Sequence, residues 1–211
     1  MRVREPFNTW SHLVGLLLAA AGTAALLGLA DRRMERVAFA IYGGTLILLY
    51  GASTIYHAAH VTPGRLRALK TLDHIAIYFL IAGTYTPVSL LTLEHAWGWP
   101  LLGSVWAIAG VGIPFKIRYL DAPVWLSTLT YLAMGHLALL AAGPIVRQVG
   151  GGGMAWLAAG GVAYTVGAVI FTRERPDPLP GRFGFHGLWH LLVLTGSACH
   201  YAFMVLYLLP E

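Results

Sequence analysis

A chain of 211 residues that is 57% hydrophobic and only 11% charged, with a mean hydropathy of +0.67, has too few charged side chains to clothe a water-soluble globule of its size. Its net charge of +5 does not mark a nucleic-acid binder, because the Lys and Arg residues fall mostly in short segments between apolar runs, the pattern that sets orientation in a membrane. The single cysteine, Cys199, lies inside an apolar run and excludes an intrachain disulfide.

A hydrocarbon layer about 30 Å thick requires about 20 apolar residues per helix. Seven stretches qualify, near 11–30, 36–60, 70–92, 97–116, 122–142, 153–172 and 184–209. The start, Met-Arg-Val-Arg-Glu-Pro-Phe-Asn, leads into the first without a cleavage-site pattern, so that segment reads as retained. The connections are short, including a glycine run at 150–153 and one spaced by Pro176, Pro178 and Pro180. The expected fold class is therefore an all-α integral membrane protein, a seven-transmembrane helix bundle forming one domain over residues 1–211. Pro87 and Pro114 are expected to kink helices three and four.

Orientation follows from the cations. Arg2, Arg4, Arg65, Arg67, Lys70, Lys116, Arg118, Arg173, Arg175 and Arg182 fall on one side, and Arg32, Arg33, Arg36 and Arg147 on the other. The first side is expected to be cytoplasmic, with the N-terminus inside and the C-terminus outside, although the cluster at residues 32–36 argues the other way.

His57 then lies near the end of helix two, Asp73 near the start of helix three, and His186 and His190 near the start of helix seven. All four share the cytoplasmic end. Residues four apart on a helix are separated by about 40° around its axis, so His186 and His190 can share one metal ion, or can simply be two interior histidines bonded to neighbouring helices. Ser53 and His57 repeat that spacing. The Ser53 hydroxyl can bond a carbonyl one turn back or donate to an oxyanion beside a metal. Asp73 can pair with Lys70, Arg67 or water, or accept a proton from a metal-bound water. Three histidines with one open position form the catalytic and not the closed structural zinc pattern, and such an ion supports hydrolysis. Cys199 lies about 14 Å along the helix from His190, which disfavours a soft metal. His200 is about 15 Å beyond His190, too far to join. His12, His60, His74 and His136 read as hydrogen-bonding or interfacial residues. Thr84, Tyr85 and Thr86 make helix three polar enough to line a cavity, and Gly22, Gly43, Gly83, Gly110 and Gly167 read as close-packing positions.

The segments Glu5-Pro-Phe-Asn-Thr-Trp-Ser-His12, Ser53-Thr-Ile-Tyr-His57, Leu72-Asp-His-Ile-Ala-Ile-Tyr-Phe-Leu-Ile-Ala-Gly-Thr-Tyr-Thr-Pro87 and His186-Gly-Leu-Trp-His190 together resemble the hemolysin III family, the bacterial branch of the progestin and adipoQ receptors. The resemblance spans nearly the whole chain in the same order. It implies a multi-pass protein of the bacterial cell membrane with a zinc on the cytoplasmic side. His57, His186 and His190 would be the ligands, Asp73 would hold the zinc-bound water, and Ser53 would stand behind them. The wider superfamily includes alkaline ceramidases, so the implied activity is zinc-dependent hydrolysis of a lipid amide or ester. A receptor-like or membrane-homeostasis protein with a structural zinc is the alternative. A pore-forming cytolysin comes third, since seven continuous apolar spans leave no soluble or amphipathic form. The partners expected are membrane lipids, as bilayer and as substrate, and no nucleic acid; nothing in the sequence points to an oligomeric state.

Overall fold

A computed structural model of the chain describes residues 3–181 and 183–209. Among the described residues the fold is helical apart from one antiparallel bridge between Leu179 and Phe183. The helices are α1 (Pro6–Leu29), α2 (Arg33–Ala58), α3 (Pro63–Pro87), α4 (His95–Arg118), α5 (Val124–Gly135), α6 (Ala142–Arg173) and α7 (Phe185–Phe203). α3 runs on into a π-helical turn, Val88–Thr92, and α7 into another, Met204–Leu208. A 3-10 turn, His136–Ala141, joins α5 to α6.

Six helical stretches are long and apolar enough to cross a bilayer: Pro6–Leu29, Arg33–Ala58, Pro63–Thr92, His95–Arg118, Val124–Arg173 and Phe185–Leu208. The fifth is 50 residues long and covers both of the spans expected at 122–142 and 153–172. Its α-helical path is broken at Gly150, whose φ of 67° and ψ of −177° lie where residues with a Cβ are strained.

Helix starts follow local chemistry. Pro6 and Pro63 occupy first-turn positions, where the missing N–H costs nothing. α2 is capped by Glu35, whose carboxylate accepts from the backbone N–H groups of Asp31 and Arg32. Because α3 begins at Pro63, Arg65, Arg67 and Lys70 sit on its first two turns and not in a loop, and Lys116 and Arg118 likewise belong to the last turn of α4. The apolar count alone missed these polar helix ends. Arg2 and Arg182, both counted for orientation, lie outside the described residues. Pro87 stands where α3 gives way to its π-turn, while Pro114 lies inside α4.

Packing runs in a closed circuit. α1 lies against α2 and α7, α2 against α3, α3 against α4 and α5, α5 against α6, and α6 against α7. α2 and α3 are the most enclosed of the six apolar stretches. Glycine permits two of these approaches directly: a Cβ on Gly43 would collide with Thr23 of α1, and one on Gly83 with Thr45 of α2. Gly22 and Gly167 are similarly covered, by Tyr201 and Trp189. Gly110 is not a packing position, because nothing lies within 4 Å of where its Cβ would be. The polar stretch of α3 also serves packing. The Tyr85 hydroxyl donates to the Gly135 carbonyl at 2.6 Å and accepts from the Ala138 N–H at 2.8 Å, tying α3 to the end of α5. Thr84 and Thr86 bond carbonyls of their own helix.

Candidate metal centre

The last turn of α2 and the first two turns of α7 deliver His57, His186 and His190 to one point. α1 lies between those helices and packs on both, and Gly187 lets the Phe7 ring of α1 approach the start of α7. The three imidazoles form a near-equilateral triangle, with ring centroids 4.9 Å apart on every side. Each offers a ring nitrogen within 4.8 Å of the other two. His57 and His190 are sealed from solvent at 0% and 1% exposure.

The tautomers can be derived from the outer bonds. His57 Nδ1 lies 2.6 Å from Glu5 Oε2, and a carboxylate only accepts, so Nδ1 carries the proton. Its Nε2 is then a bare lone pair, and it is buried without a hydrogen-bond partner. His190 Nδ1 lies 3.2 Å from Ser11 Oγ, whose own hydrogen goes to the Asn8 carbonyl at 3.1 Å. Ser11 therefore accepts from His190, and again Nε2 is left with the lone pair. Two of three imidazoles are thus held in the state that binds a metal, each by an outer partner of the kind that fixes ring orientation in metal sites.

Both outer partners come from residues 5–11, and that stretch is itself anchored. The Glu5 N–H donates to the His57 carbonyl at 3.0 Å and the Arg4 N–H to the Ala58 carbonyl at 3.4 Å, filling carbonyls left open at the end of α2. The Arg4 guanidinium donates to the Tyr56 carbonyl at 2.7 Å, pairs with Glu5 at 2.7 Å, and lies over the Tyr56 ring. Burial alone would raise the Glu5 carboxyl, but the hydrogen bonds from His57 and Asn8, with the charge of Arg4, outweigh it and hold it below the usual carboxylate range.

Behind the triangle stand a hydroxyl and a carboxylate. Ser53, at 1% exposure, is bonded to His12 Nδ1 at 2.7 Å. His12 stacks on His190 with centroids 3.5 Å apart and planes 7° apart, and its Nε2 is buried without a hydrogen-bond partner. Asp73 lies beside Ser53 and within electrostatic reach of His57, outside the three-histidine cluster. Thus Ser53, His57, Asp73, His186 and His190 do converge. His12 joins them, where the sequence suggested only a bland hydrogen-bonding histidine. Glu5, Ser11 and His12 belong to the first of the four segments; Glu5 and Ser11 lie three residues either side of Asn8 and His12 four after it, at one helix end, but only the path of α1 between α2 and α7 assigns their partners. His200 is elsewhere, at 3.2 Å from the Leu157 carbonyl, and His136 bonds Leu132 at 2.8 Å.

The cluster fits a metal ion that favours imidazole. Three nitrogen donors converge, one lone pair is orphaned in a buried site, and among the described residues no thiol or carboxylate completes the set into a closed shell.

Residues 1–201 match the family described as Haemolysin-III related. The Hemolysin-3 of Bacillus cereus is 40% identical over 209 residues, covering 98% of this chain and 92% of that protein. The Hemolysin-3 homolog of Bacillus subtilis (strain 168) is 36% identical over 207 residues, covering 96% and 93%. The human Monocyte to macrophage differentiation factor is 28% identical over 198 residues, covering 92% and 80%.

Proposed function

The chain belongs to the haemolysin-III-related family of multi-pass membrane proteins, and on that premise we propose that it is a zinc-dependent hydrolase of a lipid amide or ester bond. The observation that carries this reading is the convergence of His57, His186 and His190 with a hydroxyl and a carboxylate standing just outside the donor set. Zinc held by three imidazoles with an open position supplies a water of pKa about 7 and polarises a carbonyl. The remaining work falls to the chain's own residues. Asp73 receives the proton released during attack and returns it to the leaving group. Ser53 donates to the carbonyl oxygen as it gains charge, held in place by His12. Glu5 and Ser11 keep the ring nitrogens of His57 and His190 turned inward.

The topology we propose has seven crossings. As one straight helix the 50 residues of Val124–Arg173 would run about 75 Å, more than twice a hydrocarbon core. The break at Gly150, and the packing of α5 and the 3-10 turn against α6, support a turn back there. With Arg65, Arg67, Lys70, Lys116 and Arg118 at the metal end, that end faces the cytoplasm and α7 leads outward. The metal then lies in the inner half of the membrane, within reach of a substrate that is itself a lipid.

A second reading has a specific observation in its favour. The ligands sit on two helices that are joined chiefly through α1, so a metal there would staple the bundle without turning anything over. Asp73→Asn separates the two. A hydrolase keeps its metal and loses turnover of ceramide, acyl-amide or phospholipid substrates by about 10²–10⁴-fold. A staple loses neither its metal nor its cellular function. Metal-loaded wild-type protein that cleaves none of these lipids contradicts the enzymatic reading.

A further inference from the structure

A second feature lies at the same end of the bundle, between the start of α3 and the loop that follows α4. It is a cavity of about 300 Å³, lined by Tyr56, Leu66 and Leu120 and by Arg67, Lys70 and Asp121. That volume is at the lower end of small-ligand pockets. Lys116, one turn before Leu120, is buried at 2% exposure and lies within electrostatic reach of Lys70, His74 and Asp121.

The charges around the cavity do not balance locally. Asp121 is taken by Arg67, 2.5 Å away at the exposed rim, and Asp73, one turn along α3 from Lys70, is turned to Ser53. Among the described residues neither Lys70 nor Lys116 has a carboxylate within ion-pair distance. Cations that merely mark the cytoplasmic side would point outward, as Arg65 and Arg118 do. An ammonium buried without a direct ion-pair partner is costly, and a second one nearby adds repulsion. An anion in the cavity beside Lys70 and Arg67 would supply the missing partner.

The neighbours of the cavity walls say where that anion comes from. Ile55 and Tyr119, adjacent in sequence to the wall residues Tyr56 and Leu120, and Ile117, next to Lys116, are 55%, 56% and 62% exposed, an apolar border at this end of the helices. We propose that this cavity binds the phosphate of an anionic phospholipid, with Lys70 on the phosphate, the charge of Lys116 within electrostatic reach, Arg67 at the mouth and the acyl chains along that border. The site is independent of the metal and of any hydrolysis.

The test is thermal melting of the purified full chain in detergent, with phosphatidylglycerol or phosphatidylcholine added. The anionic lipid should raise the wild-type midpoint by about 3–5 °C more than the zwitterionic one. Lys70→Gln should abolish the difference. Arg33→Gln, which removes a cation at the opposite end of α2, should keep it. Lys116→Met should melt higher than wild type without lipid and lose the response, so a folding failure cannot imitate loss of the site. Equal responses to the two lipids, a difference that survives Lys70→Gln, or an equal loss in Arg33→Gln overturns the proposal. Sodium phosphate is a further arm: stabilisation of wild type but not of Lys70→Gln would assign the cavity to a free anion and overturn the lipid.

Discussion

Glu5 holds His57. Its carboxylate lies 2.6 Å from His57 Nδ1 while its backbone N–H donates to the His57 carbonyl, so one residue fixes both the ring and the main chain of a ligand at the end of another helix. Glu5→Gln keeps the shape but lets the amide nitrogen face Nδ1, which favours the wrong tautomer. Metal affinity should fall by about 10–100-fold in a chelator competition, with helix content unchanged. Affinity equal to wild type would show that Glu5 serves only to tie the chain's start to α2.

His12 should matter for a different reason. His12→Phe preserves a ring against His190 but removes the bond to Ser53. Zinc content should stay at the wild-type level, while turnover of the lipid substrate drops by about 10²-fold through kcat. Loss of metal in this variant would instead make His12 part of the ligand support.

Metal removal should destabilise the bundle measurably. A chelator should lower the melting midpoint of wild type, since metal at a hundredfold excess over its dissociation constant contributes about 2.7 kcal/mol. His190→Ala should already melt low and should not respond to chelator. Identical midpoints with and without chelator would deny that metal binds the folded state.

Two glycines test the packing. Gly83→Val drives a side chain into Thr45 and should cost about 1–3 kcal/mol of stability. Gly110→Val meets open space within the protein and should change stability by about 0.5 kcal/mol or less. Similar losses for both would mean that the α2–α3 approach is looser than described.

The meeting of the three histidines was partly legible because helical spacing and depth are local properties: His186 and His190 share a face by periodicity, and His57 and Asp73 reach their level by counting residues from the ends of apolar runs; that the histidines form a ligand set is what the family resemblance implies. The outer partners were not. Nothing local says that Glu5 meets His57 or that Ser11 meets His190; those bonds exist only because α1 runs between α2 and α7. The same limit explains Lys116. As part of a presumed loop it looked like one more orienting charge, whereas on the last turn of α4 it faces inward. Gly150 was visible as part of a glycine run, but composition does not say which glycine takes the positive φ that breaks the α-helical path of Val124–Arg173.

The central claim, that His57, His186 and His190 hold one zinc ion, is tested most directly by metal analysis of purified wild type beside His186→Ala. The account predicts one zinc per chain in wild type and a loss of most of it in the variant. Wild-type protein without zinc, or a variant that retains all of it, would contradict the account.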